Sequence, residues 1–254
     1  MTEQQEKFYR NRVRADRATT FRVVVKETDL WVHADRDYSA AVRDTVLQQR
    51  RYIEDAIRLY PDFAKSLVPW RTSTPQPGIV ADMIRAGECA GVGPMASVAG
   101  AIAEQVGKSL LQLSPLVVVE NGGDVFLSTA NPVVTGIYAG RSPLSLKVGI
   151  RVGGENRAIG VCTSSGTVGH SLSLGRADAV TVVACGCALA DAAATATANR
   201  IRARADIEDA IAFARAIESV EGVVVIVGER IGAWGNLEIV PLVPAEGAGQ
   251  VGND

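Results

Sequence analysis

The sequence is poor in the side chains that soft metals prefer. It contains two histidines, and its four cysteines show no CxxC spacing. A structural zinc site needs several Cys or His ligands at short spacings, so a zinc site of the usual kind is not expected. All four cysteines have small or apolar neighbours, which predicts small buried hydrophobic residues in a reducing compartment; they are Cys89, Cys162, Cys185 and Cys187.

Excess charge and long apolar runs are also missing. Lys and Arg number 26 against 28 Asp and Glu, giving a formal net charge of -2, so nucleic acid and anionic membrane surfaces are not expected partners. No run reaches the roughly eighteen apolar residues of a membrane span. Residues 1–17 carry both signs of charge without the apolar core of a signal peptide. We therefore expect a cytoplasmic protein.

What is present alternates between short β-branched runs and longer helical patterns. Residues 21–33 predict a hairpin, and residues 38–60 have apolar residues at mostly helical spacing that stop before Pro61. Four prolines between 61 and 78 predict an ordered irregular loop. Residues 135–161 predict antiparallel sheet, which residues 223–240 complete. A single domain over 1–244, with a disordered tail at 245–254, accommodates this pattern.

Two helices made mostly of small residues punctuate the chain. One is predicted over 95–106 and the other after the turn Cys185-Gly186-Cys187, which follows a buried strand. Small side chains allow close approach of a helix to another backbone or to a ligand. Each helix follows a glycine-containing turn, so an internally duplicated α+β architecture with one shared crevice is indicated.

The second of these helices contains one acid, Asp191, in an otherwise uncharged Ala/Thr sequence. Thr195 lies four residues on, so a carboxylate and a hydroxyl share one helical face. An ionised carboxylate taken out of water must be paired, hydrogen-bonded or metal-bound. Magnesium would satisfy it with oxygen ligands, and a first-turn acid that complements the helix dipole is the alternative.

Two further segments could approach a ligand through their backbone. Asn121-Gly122-Gly123-Asp124 lies between two β-runs and predicts a tight turn whose glycines leave room for a flat or phosphorylated ligand. Thr163 to Ser171 is rich in hydroxyls and glycine, as phosphate-binding nests are, although ordinary turns have the same composition. His170, within it, is a candidate for proton transfer or a structural residue.

Together these segments resemble the ApbE-like superfamily, whose best-known members are FAD:protein FMN transferases. Asn121-Gly122-Gly123-Asp124 resembles the family's N-x-G-G-D turn, and Thr163-Ser164-Ser165-Gly166 resembles its T-S-G segment. Asp191 to Thr195 matches its D-A-x-x-T motif. The resemblance implies an internally duplicated α+β fold of antiparallel sheets with covering helices, of the T-fold kind, that binds FAD in a crevice.

The same resemblance implies a ligand set and a reaction. Mg²⁺ would be held by Asp191, Thr195 and a backbone carbonyl, with Ala96 as its expected donor, and would bridge the FAD pyrophosphate. FMN would then pass to a Ser or Thr of an acceptor protein. Asn121 to Asp124 and Thr163 to Gly166 would contact the nucleotide, and His170 would transfer the proton.

The sequence also departs from the family pattern. Where the family has D-L-G-x-I-A-K-G, residues 91–98 read GVGPMASV, so the acid and the lysine are missing. The D-P-x-T-G segment after the family histidine is replaced as well. These differences resemble a separate branch of the superfamily. The leading hypothesis is a Mg²⁺-assisted protein acting on the FAD pyrophosphate, by FMN transfer or hydrolysis. The alternative is a non-catalytic flavin- or nucleotide-binding scaffold, and a homodimer is expected in either case.

Overall fold

A computed structural model describes residues 18–166 and 175–242 of the chain. The helices of this part are α1 (Ser39–Leu59), α2 (Gly78–Ala90), α3 (Val98–Leu110), α4 (Cys187–Ala198) and α5 (Ile207–Ala216). Three short 3-10 turns accompany them at Pro61–Ala64, Pro94–Ser97 and Arg204–Asp206. The strands are β1 (Thr19–Val25), β2 (Thr28–Ala34), β3 (Val117–Asn121), β4 (Asp124–Ser128), β5 (Val133–Gly136), β6 (Val148–Val152), β7 (Ile159–Ser164), β8 (Ala179–Ala184), β9 (Val220–Val227), β10 (Arg230–Gly235) and β11 (Glu238–Pro241).

One eight-stranded antiparallel sheet organises the fold, in the order β1-β2-β3-β4-β7-β8-β9-β10. Its first half is a hairpin, the helices α1 to α3 and a second hairpin. Its second half repeats this plan with α4 and α5 between the hairpins β7-β8 and β9-β10. The predicted α+β class and internal duplication are confirmed, and the two halves meet where β4 pairs with β7.

The helices pack on one face of the large sheet, and a smaller sheet, β11-β6-β5, covers the other face. Residues 237–240 were expected to complete the main sheet, and this is wrong: β11 pairs with β6 instead, with Ile239 opposite Ile150. Apolar side chains alternate along the strands of the large sheet, so each face has its own core. Val119 and Phe126 pack with the helix layer, whereas Val118 and Leu127 pack with the small sheet.

Strand β8 and helix α4 lie at the centre of the fold and are buried, as the sequence predicts for both. Every residue of β8 is buried, in keeping with its unbroken apolar run. Helix α4 packs between the sheet and the helices α2, α3 and α5, where its alanines are almost completely buried. Larger side chains would hold these elements apart, so the small composition of α4 explains how one helix contacts all of them.

Other boundaries differ in informative ways. The small-residue helix expected at 95–106 begins as a 3-10 turn at Pro94 and continues as α3 to Leu110. Cys89 and Cys185 are exposed, against expectation: Cys89 follows exposed Glu88 in the last turn of α2, and Cys185 lies in the turn between β8 and α4. In the described ranges, no helix is long and apolar enough to cross a membrane. The tail at 245–254 lies outside the described residues, and the single domain and the homodimer stay predictions.

Candidate functional site

Asp191 caps a helix other than its own. It is the fifth residue of α4, so the interpretation as a first-turn acid of that helix is wrong. Its Oδ2 instead accepts the backbone N–H of Gly100, in the first turn of α3, at 2.9 Å. Unpaired N–H groups at a helix N-terminus favour a negative charge. The carboxylate therefore joins the helices of the two halves of the fold.

Close approach of α3 and α4 depends on Gly100. A Cβ at this position would lie 2.4 Å from the carbonyl oxygen of Cys187 and 2.8 Å from the Cβ of Asp191. Both distances are too short for a side chain without movement of the backbone. Glycine at residue 100 thus allows Asp191 to reach the N-terminus of α3.

The predicted turn Asn121 to Asp124 is present and lies beside this contact. It is a two-residue hairpin connection with a positive φ of 68° at Gly122. Asn121 donates its Nδ2 hydrogen to the carbonyl of Ala99 at 3.0 Å. Asp124 begins β4 opposite Cys162 of β7 and is only 8% exposed. The hairpin thereby brings a second carboxyl group to the start of α3.

The two carboxyl groups perturb each other. Burial raises the pKa of Asp124 to about 7, against smaller lowering effects of the Cys162 thiol and the Thr163 backbone N–H. Burial also raises the pKa of Asp191 well above its ordinary value, and the charge of Asp124 raises it further. Within residues 18–166 and 175–242, neither group forms an ion pair with a Lys or Arg. In this part of the chain, no salt bridge compensates the pair.

Two thiols lie close to the carboxyl groups of Asp124 and Asp191. The sulfur atoms of Cys162 and Cys187 are 3.4 Å apart, and both residues are fully buried. Burial raises the pKa of Cys187 to about 11 and that of Cys162 well above the usual range. Thiols bind metals as thiolates, so these two act as small buried side chains, as the sequence predicts.

The groups around Asp191 fit a hard cation. Asp191 and Thr195 lie one turn apart on α4 and are both half-buried. Among the described residues, no three His, Cys, Asp or Glu side chains form a cluster able to hold a metal. Proteins usually bind Mg²⁺ with one or two carboxylates together with backbone, water and phosphate oxygens. A cation would also relieve the repulsion between Asp191 and Asp124. The assignment of the Ala96 carbonyl, in the 3-10 turn beside α4, stays a prediction.

The segment Thr163 to Gly166 approaches the hairpin from β7. The backbone N–H of Thr163 donates to the carbonyl of Gly123 at 3.0 Å, and its hydroxyl lies 2.9 Å from that of Thr181. The N–H of Gly166 donates to Ala177 at 2.9 Å, so this amide is already used within the fold. Residues 167–174, with His170, lie outside the described residues.

Sequence reasoning missed Glu104 of α3. Its Oε2 accepts the N–H of Ala188 at 2.9 Å, so it caps α4 just as Asp191 caps α3. Its Oε1 lies 2.7 Å from Nζ of Lys108. Glutamate four residues before lysine on a helix is a recognisable signal for such an ion pair. The contact of Glu104 with the N-terminus of α4 is not visible in the sequence.

A cavity of about 290 Å³ adjoins the site, because Ala99 and Asn121, which lie beside the Asp191 contact, also belong to its lining. It lies between α1, α3 and the strands β2 and β3. Most of its wall is apolar, with charged groups from Glu27, Arg50 and Glu54. Sequence reasoning also missed this cavity, which is lined by Glu27, Thr28, Arg50, Ile53, Glu54, Ile57, Met95, Val98, Ala99, Ile102 and Asn121.

This architecture is the fold of solved flavin transferases. The apo structure of the Pseudomonas stutzeri flavinyl transferase ApbE matches it with a TM-score of 0.56 and 15% identity, covering 86% of this chain and 94% of that one. The flavin transferase ApbE from Vibrio cholerae matches with a TM-score of 0.52 and 15% identity, covering 85% and 97%. Likeness at this identity shows the fold.

Sequence comparison shows the family. The family model described as AbpE bacteria matches residues 10–232, and the chain belongs to that family. A UPF0280 protein of Methanococcus aeolicus is 41% identical over 222 residues, which are 85% of this chain and 90% of that protein. The resemblance to a divergent branch of the ApbE-like superfamily is thereby confirmed.

Proposed function

We propose that the protein is a Mg²⁺-assisted enzyme that binds a flavin nucleotide and acts on the pyrophosphate of FAD. The observation that supports this most is the pair of carboxyl groups of Asp124, which is buried, and Asp191, which is half-buried, without a basic partner in the described ranges. Carboxyl groups with strongly raised pKa values are typical of functional sites. The fold, which is that of flavin transferases, supports a flavin nucleotide as the ligand.

Each part of the site has a role in this proposal. Asp191, Thr195 and the carbonyl of Ala96 would hold Mg²⁺, which when bound would neutralise charge on the pyrophosphate. Asn121 fixes the first turn of α3 through its bond to Ala99. Gly122 leaves the tip of the hairpin without a side chain that would block the nucleotide, and Gly123 makes room for the carbonyl of Thr163. Segment 163–166 lies beside the hairpin through the hydrogen bond from Thr163 to Gly123, and its hydroxyl side chains would contact the nucleotide.

The reaction divides FAD into two halves. A hydroxyl oxygen, from a Ser or Thr of an acceptor protein or from water, bonds to the phosphorus of the FMN half. The bond between that phosphorus and the bridging oxygen breaks, and AMP leaves with the electron pair. The hydroxyl proton passes to His170, the residue that the sequence favours for this step.

A second candidate is a flavin- or nucleotide-binding scaffold without catalysis, and one observation favours it. Ser97 stands where the family pattern has lysine. It is fully buried, and its hydroxyl donates to the carbonyl of Pro94 at 2.8 Å. Ser97 therefore supplies neither charge nor a free donor to the nucleotide.

Incubation of the purified protein with FAD, with and without Mg²⁺, tests both candidates. AMP release followed by chromatography reports turnover, and flavin retained on the protein reports binding or transfer. We expect Asp191→Ala to abolish the Mg²⁺-dependent signal, whereas Asp209→Ala, at an exposed acid of α5, should leave it unchanged.

Three results are informative. Mg²⁺-dependent AMP release supports the enzyme. Binding without turnover supports the scaffold. If neither occurs, and Asp191→Ala does not alter thermal stability in Mg²⁺ plus FAD, both candidates fail.

A further inference from the structure

The cavity beside α3 is electrically balanced in spite of its charged rim. Its charged lining consists of Glu27, Glu54 and Arg50. Lys26 adds a second positive charge through its contact with Oε1 of Glu54 at 2.8 Å. The hydrogen bond from Lys26 lowers the pKa of Glu54, with a smaller contribution from Arg50, so Glu54 is ionised at neutral pH. Two positive charges and two negative charges therefore surround the opening.

The guanidinium of Arg50 already uses both of its Nη atoms as hydrogen-bond donors within the protein. Its Nη2 donates to Glu27 at 2.6 Å and to Glu54 at 3.3 Å, and its Nη1 donates to the hydroxyl of Thr28 at 2.9 Å. Its Nε is buried and has no partner among the described residues. The side chain is only 16% exposed. A guanidinium with two carboxylate partners and an enclosed Nε does not attract phosphate as a free arginine does.

The rest of the cavity favours an apolar, flat group. Ile53, Ile57, Met95, Val98 and Ile102 form its wall. A volume of about 290 Å³ is at the lower end of ligand pockets, so one ring system fits and a whole dinucleotide does not. Asn121 and Ala99 lie both in this lining and in the contact beside Asp191. A ligand can therefore span from the cavity to the carboxyl pair.

We propose that Glu27 and Glu54, by neutralising Arg50, determine which end of the nucleotide enters this cavity. The balanced rim admits an uncharged heteroaromatic ring and rejects phosphate. The phosphates are thereby directed toward Asp191. This inference rests on the proposed function for the identity of the ligand, and the selectivity itself is a property of the cavity.

Binding measurements in EDTA separate this selectivity from the metal site. The probes are riboflavin, which has the ring without phosphate, and inorganic pyrophosphate, which has no ring. We expect the wild-type protein to quench riboflavin fluorescence and to bind pyrophosphate weakly. Glu54→Gln should strengthen pyrophosphate binding about tenfold, because a charge-assisted contact with Arg50 becomes available. Asp55→Asn, on the same helix and outside the cavity, is the matched control and should change neither affinity.

A blocking variant locates the ring. Ile57→Trp fills the cavity from α1 and should abolish riboflavin binding, whereas Leu47→Trp, at an exposed position of α1, should not. The proposal is overturned if wild-type protein does not bind riboflavin, if Ile57→Trp binds it normally, or if Glu54→Gln and wild type bind pyrophosphate equally. The riboflavin and pyrophosphate measurements contain no Mg²⁺ and no FAD, so failure of the Mg²⁺-dependent reaction alone would leave this selectivity standing.

Discussion

Glu104 and Asp191 do the same structural work in opposite electrostatic surroundings. Each is an acid on one helix whose side chain accepts a backbone N–H from the first turn of the other, at 2.9 Å in both cases. Glu104 has Lys108 as a counter-charge at 2.7 Å. Asp191 has no such partner among the described residues and is close to Asp124, whose charge raises its pKa.

The difference separates a structural acid from a candidate functional one. Both carboxylates satisfy helix N-termini, so capping by itself implies no ligand. A buried acid beside a second acid is unfavourable unless something else compensates it. The property of Asp191 that indicates a function is therefore its lack of a counter-charge among the described residues, and not its capping contact. Measurements of stability test this difference.

The largest effect is expected from pH. The folded-state pKa of Asp124, about 7, lies above its ordinary value of 3.8, so the folded protein holds this proton more tightly than the unfolded chain. The stability contributed by the protonated carboxyl is present below about pH 4 and is lost as pH rises through 7, by up to roughly 4 kcal/mol of unfolding free energy. Asp124→Asn should remove this part of the pH dependence in urea unfolding at pH 5 and pH 8.

The same pH experiment in the presence of Mg²⁺ tests whether a cation binds the ionised pair. A cation that binds the ionised pair should reduce the loss of stability at pH 8 in the wild-type protein and have little effect at pH 5. Equal pH profiles for the wild type and Asp124→Asn would show that burial does not hold a proton on Asp124 as inferred.

An intermediate effect is expected from Gly100→Ala. The new Cβ would meet the Cys187 carbonyl and Asp191 at distances that require backbone movement, which typically lowers the unfolding free energy by about 1–3 kcal/mol. Gly78→Ala is the matched control, because no atom lies within 4 Å of a Cβ there. Thermal or urea unfolding measures both. Equal stabilities would mean that α3 and α4 can move apart without penalty.

The smallest effects should have opposite signs. At pH 8, Glu104→Gln removes the ion pair with half-exposed Lys108 and should lower the unfolding free energy by about 0.5–1 kcal/mol. Asp191→Asn keeps an oxygen for the Gly100 N–H and removes a carboxyl group whose ionisation is disfavoured by burial and by Asp124, so it should raise stability by up to about 1 kcal/mol. Destabilisation of similar size by both variants would remove the contrast between the two acids.

Local chemistry made much of the fold predictable. Asn121 to Asp124 predicts its own hairpin because two glycines between β-branched runs allow few other conformations. Helix α1 ends before Pro61 as proline requires. The D-A-x-x-T spacing correctly placed Asp191 and Thr195 on one face of a helix.

Long-range partners were not predictable in the same way. Asp191 and Gly100 are 91 residues apart in the chain, and no local pattern reports that one caps the other. The cavity combines α1, α3 and two strands, so its charge balance exists only after folding. Residues 238–241 have an ordinary strand composition, which gives no information about which of the two sheets they join.

The position of the carboxyl pair at the junction of β4 and β7 has a last consequence. Asp124 belongs to the first repeat and Asp191 to the second, and Gly100, Cys162 and Thr163 likewise come from both. The carboxyl pair therefore exists only where the two repeats meet, whereas the cavity is lined by the first repeat alone. A substitution in either half that moves α3 away from α4 would therefore also separate Asp191 from the N–H of Gly100, so the stability of the pair depends on both halves at once.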